Sequence, residues 1–206
     1  MLVGARMTYP VITISPRATV DAASDLIKKE SIHSLPVVDR QGRLLGLISK
    51  NELDRVLCKN DSLNEAESEI LVEDCMMTQV LTVTENTPIE EAARIISDYD
   101  IKSLPVLRGN YVVGIITATS LIRIFLEMTG ARSQGIRLTL LVEDIPGKIF
   151  AIFKRICEMN GNVVSFSTYN SDEKGFKMMT LKIDGIEKYE LKQAITPLVY
   201  KIADIR

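Results

Sequence analysis

The chain has 206 residues, which suits two compact domains and is short for three ordinary ones. Its 25 Lys and Arg nearly balance 27 Asp and Glu for a net charge of −2, so no basic surface and no nucleic-acid partner are expected, and the 46% hydrophobic content is that of a soluble globular protein. The three cysteines (Cys58, Cys75, Cys157) form no Cys-x-x-Cys pair, which predicts reduced thiols in a cytoplasm rather than disulfides or zinc, and residues 1–7 are too short and too polar at their end for a signal peptide.

In chain order, the first segment already belongs to a repeat. Thr13-Ile14-Ser15 returns as Thr82-Val83-Thr84, Val20-Asp21-Ala22-Ala23 as Ile89-Glu90-Glu91-Ala92, and Ile32-His33-Ser34 as Ile101-Lys102-Ser103. Ser34-Leu35-Pro36-Val37 followed by Gly46-Leu47-Ile48-Ser49 returns as Ser103-Leu104-Pro105-Val106 followed by Gly114-Ile115-Ile116-Thr117. One offset holds up to the polar turns, where the second copy is one residue shorter. Each copy reads strand, helix, strand, turn, strand, helix. Val20, Ala23, Leu26 and Ile27 have the spacing of one helical face, and Pro16 and Pro88 precede the helices, where a fixed φ and a missing N–H do least harm. Residues 39–42 and 108–110 read as hairpin turns with Gly or Asn able to take positive φ.

Between the copies, residues 54–74 are polar, with an acidic middle. Val56-Leu57 and Ile70-Leu71 would anchor the ends of a solvated connection around a mobile 60–68. Residues 111–128 are the most apolar stretch, but Gly114, Arg123 and Glu127 and a β-branched first half predict a buried strand feeding an amphipathic helix, not a membrane span.

The turn-rich 130–135 marks a boundary. A strand at 136–142, a break at Asp144-Ile145-Pro146-Gly147, a helical stripe of Ile149, Ile152, Phe153 and Ile156, and a left-handed cap at Gly161-Asn162 follow. Strands at 163–169 and 176–183, a helix through Tyr189, Leu191, Ile195 and Leu198, and a last strand at 200–205 complete a βαββαβ order, that of a ferredoxin-like sandwich.

The doubled Ser-Leu-Pro-Val and Gly-apolar-Ile-Ser/Thr pattern resembles a tandem pair of CBS domains, a Bateman module. Asp144-Ile145-Pro146-Gly147-Lys148-Ile149 with Gly161-Asn162-Val163 resembles an ACT domain, and that domain order is similar to the AcuB-like acetoin-utilisation proteins. The expected fold class is α/β (α+β): a CBS pair plus a ferredoxin-like ACT domain. The expected domains are CBS 1 at 1–58, a polar linker at 59–74, CBS 2 at 75–130 and the ACT domain at 136–206.

The resemblance implies two clefts between the repeats that take an adenine nucleotide or related ligand (ATP, ADP, AMP or S-adenosylmethionine), with no covalent cofactor. One cleft would join Ile116, Thr117, Thr119 and Ser120 of the second strand–helix junction to Thr13, Ile32 and His33. The other would join Ile48, Ser49, Asn51 and Glu52 to Thr82, Ile101 and Lys102. Hydroxyls and helix N–H groups suit phosphate, apolar Ile pairs suit an adenine face, and His33 and Lys102 could meet a polyphosphate. Nucleotide-binding members usually carry Asp three residues after the junction hydroxyl to grip the ribose. Here Glu52 and Ser120 stand there, and Ser49-x-x-Glu52 also reads as a helix capping box. In the ACT domain the resemblance implies an amino acid held at the interface of paired domains by Asp144, Ile145, Pro146, Gly147 and Lys148 with Asn160, Gly161 and Asn162, or else a purely dimerising role.

One histidine and scattered carboxylates assemble no catalytic set, and the sequence has no phosphate-binding Gly-x-x-x-x-Gly-Lys loop and no metal cluster. The expected protein is a non-enzymatic, cytoplasmic, homodimeric ligand sensor, the alternative being an interaction scaffold with ligand-free clefts. Its mechanism would be a population shift, passed through the helix at 121–128 and the hinge at 130–135.

Overall fold

The computed structural model describes residues 1–60 and 70–206, the side chains of 57–60 excepted, and the chain forms two compact units, Met1–Leu121 and Ile122–Arg206. Most of the expected mobile centre at 60–68, and the side chain of Cys58, lie outside the described residues. Among the described residues no helix is long and apolar enough to cross a membrane.

The first unit is built twice. Helix α1 (Val20–Glu30) turns Val20, Ala23 and Ile27 inward, is capped by Thr19 Oγ1 accepting from Ala22 N–H at 3.2 Å, and ends on left-handed Ser31. Strands β1 (Ser34–Val38) and β2 (Leu44–Ser49) form an antiparallel hairpin in the register Leu35↔Ile48 and Val37↔Gly46, and β2 runs straight into α2 (Lys50–Asn60). A short α3 (Val72–Cys75) follows. In the second copy α4 (Ile89–Asp98) buries Ile89, Ala92 and Ile96, and β4 (Ser103–Arg108) pairs β5 (Tyr111–Thr117) with Leu104↔Ile116 and Val106↔Gly114, the same register. Strand β5 continues into α5 (Ala118–Met128). The entrance strands expected at 13–15 and 82–84 shrink to a single parallel bridge, Ile14↔Val37, and a two-residue β3 (Val83–Thr84) beside β4. Ser-Leu-Pro-Val is buried at all four positions in both copies, so these hairpins are core rather than surface.

The copies exchange their leading segments. Val3 N–H donates to Thr87 O and Gly4 N–H to Glu85 O, while Val72 N–H donates to Ala18 O and Glu73 N–H to Pro16 O. The end of the connection read as solvated is therefore packed: Val72 is fully buried in the first repeat's core with Leu35, Ile48 and Leu53, and Leu71 bridges Thr19. Leu71 anchors the end as expected, and Val72, which the polar composition hid, joins it in finding its partners in the other copy. The crossing also explains the motif glycines. A Cβ on Gly46 would lie 2.7 Å from Met77 O, and one on Gly114 would collide with the Met7 side chain.

In the second unit, β6 (Ile136–Glu143), α6 (Lys148–Glu158), β7 (Asn162–Asn170), β8 (Phe176–Asp184), α7 (Lys188–Ile195) and β9 (Lys201–Ile205) follow the expected βαββαβ order. The four strands lie in the order β7-β8-β6-β9, a split βαβ sheet of ferredoxin-like topology. Alternate residues of β6 and β8 (Leu138, Leu140, Val142, Met179, Leu181, Ile183) meet Ile152 and Ile156 of α6 and Leu191 and Ile195 of α7 in one core. Each such side chain removed from water contributes about 1.5–3 kcal/mol. Phe153 meets Phe166 edge to face at 5.1 Å. Of the expected inward residues, Ile149 and Tyr189 stay exposed. The left-handed cap after α6 is Asn160 (φ 58), not Gly161, which is small because Ile156 and Ile186 crowd it.

Candidate ligand-binding site

The first unit's site begins at its internal two-fold. Ser34 and Ser103, equivalent residues 69 apart, are buried with their hydroxyls 2.8 Å apart. Each opens a core strand, so the two hairpins meet back to back and the residues just before them, His33 and Lys102, sit beside the pair. Their carbonyls cap the helices that follow: Lys50 N–H donates to His33 O and Ala118 N–H to Lys102 O, both at 3.0 Å. Some of the junction N–H groups expected to face a phosphate are thus already used.

A cavity of about 630 Å3 opens at the first junction. Ser49, Asn51 and Glu52 line it together with Ile101 and Lys102, which sequence reasoning placed there, and with His33, which it placed opposite. Ser34, Leu47, Lys50, Asp54, Met77, Gln79, Val80, Leu81, Tyr99, Asp100 and Ser103 complete the walls, and none of these was expected in a cleft. The signal was present in the repeat, because the crossing segment that carries Met77 continues through 79–81 over the first junction. Thr82, half-buried, is outside the lining.

Ile48 and Ile116 are buried in the core and do not reach the cleft: both have 0% accessibility and pair with Leu35 and Leu104. They cannot offer a face to a purine, because the inward register that aligns the hairpin buries them. The remaining residues of the second set, Thr13, Ile32, Thr117, Thr119 and Ser120, lie outside this cavity, Thr119 exposed and the others half-buried.

The junctions differ at the third position after the hydroxyl. Glu52 Oε2 accepts from Ser49 N–H at 3.1 Å and from the Ser49 hydroxyl, so the carboxylate caps α2 while it lines the cavity. At the second junction Thr117 Oγ1 accepts from Ser120 N–H at 3.1 Å and lies 3.0 Å from the Ser120 hydroxyl, a neutral cap. The Cys75 thiol is pushed up by burial and then by the nearby charges of Asp74 and Glu52, which disfavours the thiolate. Among the described residues no group of three or more His, Cys, Asp or Glu could hold a metal.

In the second unit the residues expected around an amino acid are not brought together within one chain. Asp144, Ile145, Pro146 and Gly147 enter α6, whereas Asn160, Gly161 and Asn162 leave it, and an eleven-residue helix spans about 16 Å. Asp144 Oδ2 pairs with Lys177 Nζ at 3.1 Å; Lys148 Nζ pairs with Glu143 at 2.8 Å and donates to Leu198 O at 3.1 Å. Gly147 has φ +83 with open space where a Cβ would point, so it is required for its backbone conformation and not for close approach.

The CBS domain family matches residues 3–59 and 72–127, more than half of the chain. Among curated relatives the chain is 30% identical over 120 residues to L-aspartate semialdehyde sulfurtransferase of Methanocaldococcus jannaschii, 58% of this chain but 22% of that enzyme. It is 29% identical over 110 residues to the CBS domain-containing protein YhcV of Bacillus subtilis, 53% of this chain and 75% of that one. The chain thus spans about a fifth of the length of the matched enzyme. Among solved structures, the CBS domain pair of protein MJ0100, in complex with 5′-methylthioadenosine and S-adenosyl-L-methionine, superposes with a TM-score of 0.56 at 28% identity over 65% of this chain and 98% of that one. CBSX2 in complex with AMP gives 0.52 at 30% over 61% and 96%. A putative acetoin utilization protein (AcuB) from Vibrio cholerae gives 0.57 at 26% over 65% and 98%.

Proposed function

This chain belongs to the CBS-domain family, and from that premise we propose that it is a non-enzymatic regulatory protein whose CBS pair senses an adenine nucleotide or adenosyl compound. The observation that supports it most is the cavity of about 630 Å3, with Ser49, Asn51 and Glu52 facing Ile101 and Lys102 across the repeat interface. Its size is that of a small-molecule site, and its lining mixes apolar side chains with a few convergent polar groups. The liganded MJ0100 and CBSX2 pairs support the adenosine class for the ligand. In this reading Asn51 and the free oxygen of Glu52 face the ribose, and Lys102 and His33 meet the anionic or sulfonium end. A ligand that bridges both repeats favours one packing of them over another.

The second unit is proposed to be an ACT domain, supported by its βαββαβ order and its Asp-x-Pro-Gly turn. Dimerisation is the better supported of its two roles. The edge strand β7 runs nine residues without a charge or a proline and exposes Val164, Phe166 and Tyr169, which suits pairing with a second copy. An amino acid would need turns from two copies, since one chain separates them. A homodimer follows, and light scattering that finds a monomer at micromolar concentration contradicts it. The proposed setting is cytoplasmic, with partly buried Cys75 reduced.

One observation favours a ligand-free scaffold instead: Glu52 is already engaged as a cap. Thermal unfolding with AMP, ATP, S-adenosylmethionine and 5′-methylthioadenosine separates the two, because a ligand at a hundred times its Kd adds about 2.7 kcal/mol to the folded state. A rise with any of these supports sensing, and no rise with all four supports the scaffold.

A further inference from the structure

A second cavity, of about 730 Å3, lies wholly within the C-terminal unit, on the face of the sheet turned away from α6 and α7. One wall is the end of α5 and the turn that follows it: Phe125, then Thr129, Gly130 and Ala131. This wall is held in place, because Gly130 is buried at φ +60 and a Cβ there would lie 2.8 Å from Ser165 Oγ.

The floor is a graded surface set by strand register. In one row Ser165 of β7 opposes Lys182 of β8, which opposes Arg137 of β6. In the next row Ser167 opposes Thr180, which opposes Thr139; the Thr139 and Thr180 hydroxyls are 3.2 Å apart, and Tyr169 OH lies 3.4 Å from Thr180 Oγ1. Two cations directly across a strand pair repel each other. Arg137 is compensated by Asp204 at 2.8 Å, but Asp204 also serves Arg206 at 2.9 Å. Lys182 has no carboxylate within ion-pair distance among the described residues. A half-buried lysine is therefore left opposite an arginine, at the mouth of a hydroxyl-lined hollow with Phe125 as its apolar side.

We propose that this hollow binds a small organic oxyanion, a phosphate ester or carboxylate, with its charged group on Lys182 and Arg137 and its body over the Ser165, Ser167 and Thr180 hydroxyls. The anion would relieve the repulsion that the bare sheet carries, and charge-assisted bonds to a partly desolvated lysine and a guanidinium would give it its hold. This site is separate from the cleft between the repeats and does not depend on the adenosine reading.

The test is thermal unfolding of the full chain in phosphate-free buffer, titrated at constant ionic strength with inorganic phosphate, glucose 6-phosphate or citrate. The wild type is expected to rise by several degrees, with the organic anions above inorganic phosphate if the hydroxyl floor contributes. Lys182→Met should melt higher than wild type without anion and lose the rise. Lys182→Arg should keep the rise and shows that loss in the Met variant is not misfolding. Lys102→Met, in the other cavity, should keep it too. No rise in the wild type overturns the proposal. So does a rise lost in Lys102→Met and kept in Lys182→Met, or a rise lost equally in both.

Discussion

The two strand–helix junctions of the repeat share a backbone and differ in chemistry. Ser49 and Thr117 occupy the same place in the same register, opposite Ser34 and Ser103. Yet the first helix is capped by a carboxylate and the second by a hydroxyl. The shared part is set by the core, since Leu35, Ile48, Leu104 and Ile116 are all fully buried and align the hairpins whatever the junction carries. The differing part is free of that constraint, and so it is where one cleft can acquire a ligand and the other can remain a cap.

The largest expected effect breaks the symmetry of the crossing segments. Gly46→Ala puts a methyl group 2.7 Å from a backbone oxygen, Met77 O, as well as against Met76. For Gly114→Ala the nearest atoms all belong to the flexible Met7 side chain. Overpacking against backbone should cost about 2–3 kcal/mol and against a movable methionine about 1 kcal/mol, measured by urea unfolding. Equal costs would show that the two crossings are not packed as described.

The next prediction tests the axis itself. Ser34→Ala or Ser103→Ala alone strands a buried hydroxyl and should cost about 1–2 kcal/mol, while the double variant should cost clearly less than their sum. Additive losses would show that the hydroxyls do not bond each other.

Glu52→Ala and Thr117→Ala, which remove the two capping acceptors, sharpen the comparison of the caps. Each should lower stability by about 1 kcal/mol or less through the helix start. Only Glu52→Ala should also weaken an adenosyl ligand, by about tenfold, the loss of one charge-assisted hydrogen bond. Untouched affinity leaves Glu52 as a cap alone.

The smallest effect concerns an ion pair that belongs to one copy. Arg108 donates to both oxygens of Glu85 at 2.8 and 2.9 Å and holds that carboxyl below its ordinary value, while Pro16 stands at the equivalent place in the first copy. A carboxyl depressed on folding contributes stability above its unfolded pKa and loses it as pH falls through the folded value. Glu85→Gln should therefore lower stability slightly at neutral pH, leave it unchanged at pH values below both pKa values, and so flatten the acid limb, the effect being small because the pair is partly exposed and screened. An acid limb as steep as that of the wild type would remove the pair from the account.

The repeat, its register and the βαββαβ order were legible because hydrophobic periodicity and paired motifs report cores. The crossing of the leading segments was not: Ile70-Leu71 read as an anchor, but nothing local says that the chain there crosses to the other copy, and only the partners do, Thr19 for Leu71, Ala18 for Val72 and Pro16 for Glu73. The same crossing hid Gln79–Leu81 from the site. Ile48 and Ile116 were misplaced because an apolar residue beside a ligand motif and an apolar residue in the core look alike until the register is known. The stripe of Ile149, Ile152 and Ile156 already placed a helix between Gly147 and Asn160, and its length of about 16 Å is what holds the two turns apart within one chain.

The central claim is that the cavity at the first junction takes an adenosine-class ligand. Calorimetric titration of the wild type and of Leu81→Trp with AMP and S-adenosylmethionine tests it most directly, because Leu81 lines that cavity, is 41% exposed, and a larger ring there fills the space without disturbing a core. The account predicts saturable binding of at least one of the two ligands by the wild type and its loss in Leu81→Trp at unchanged melting temperature. Binding by neither ligand, or equal binding by both proteins, would contradict it.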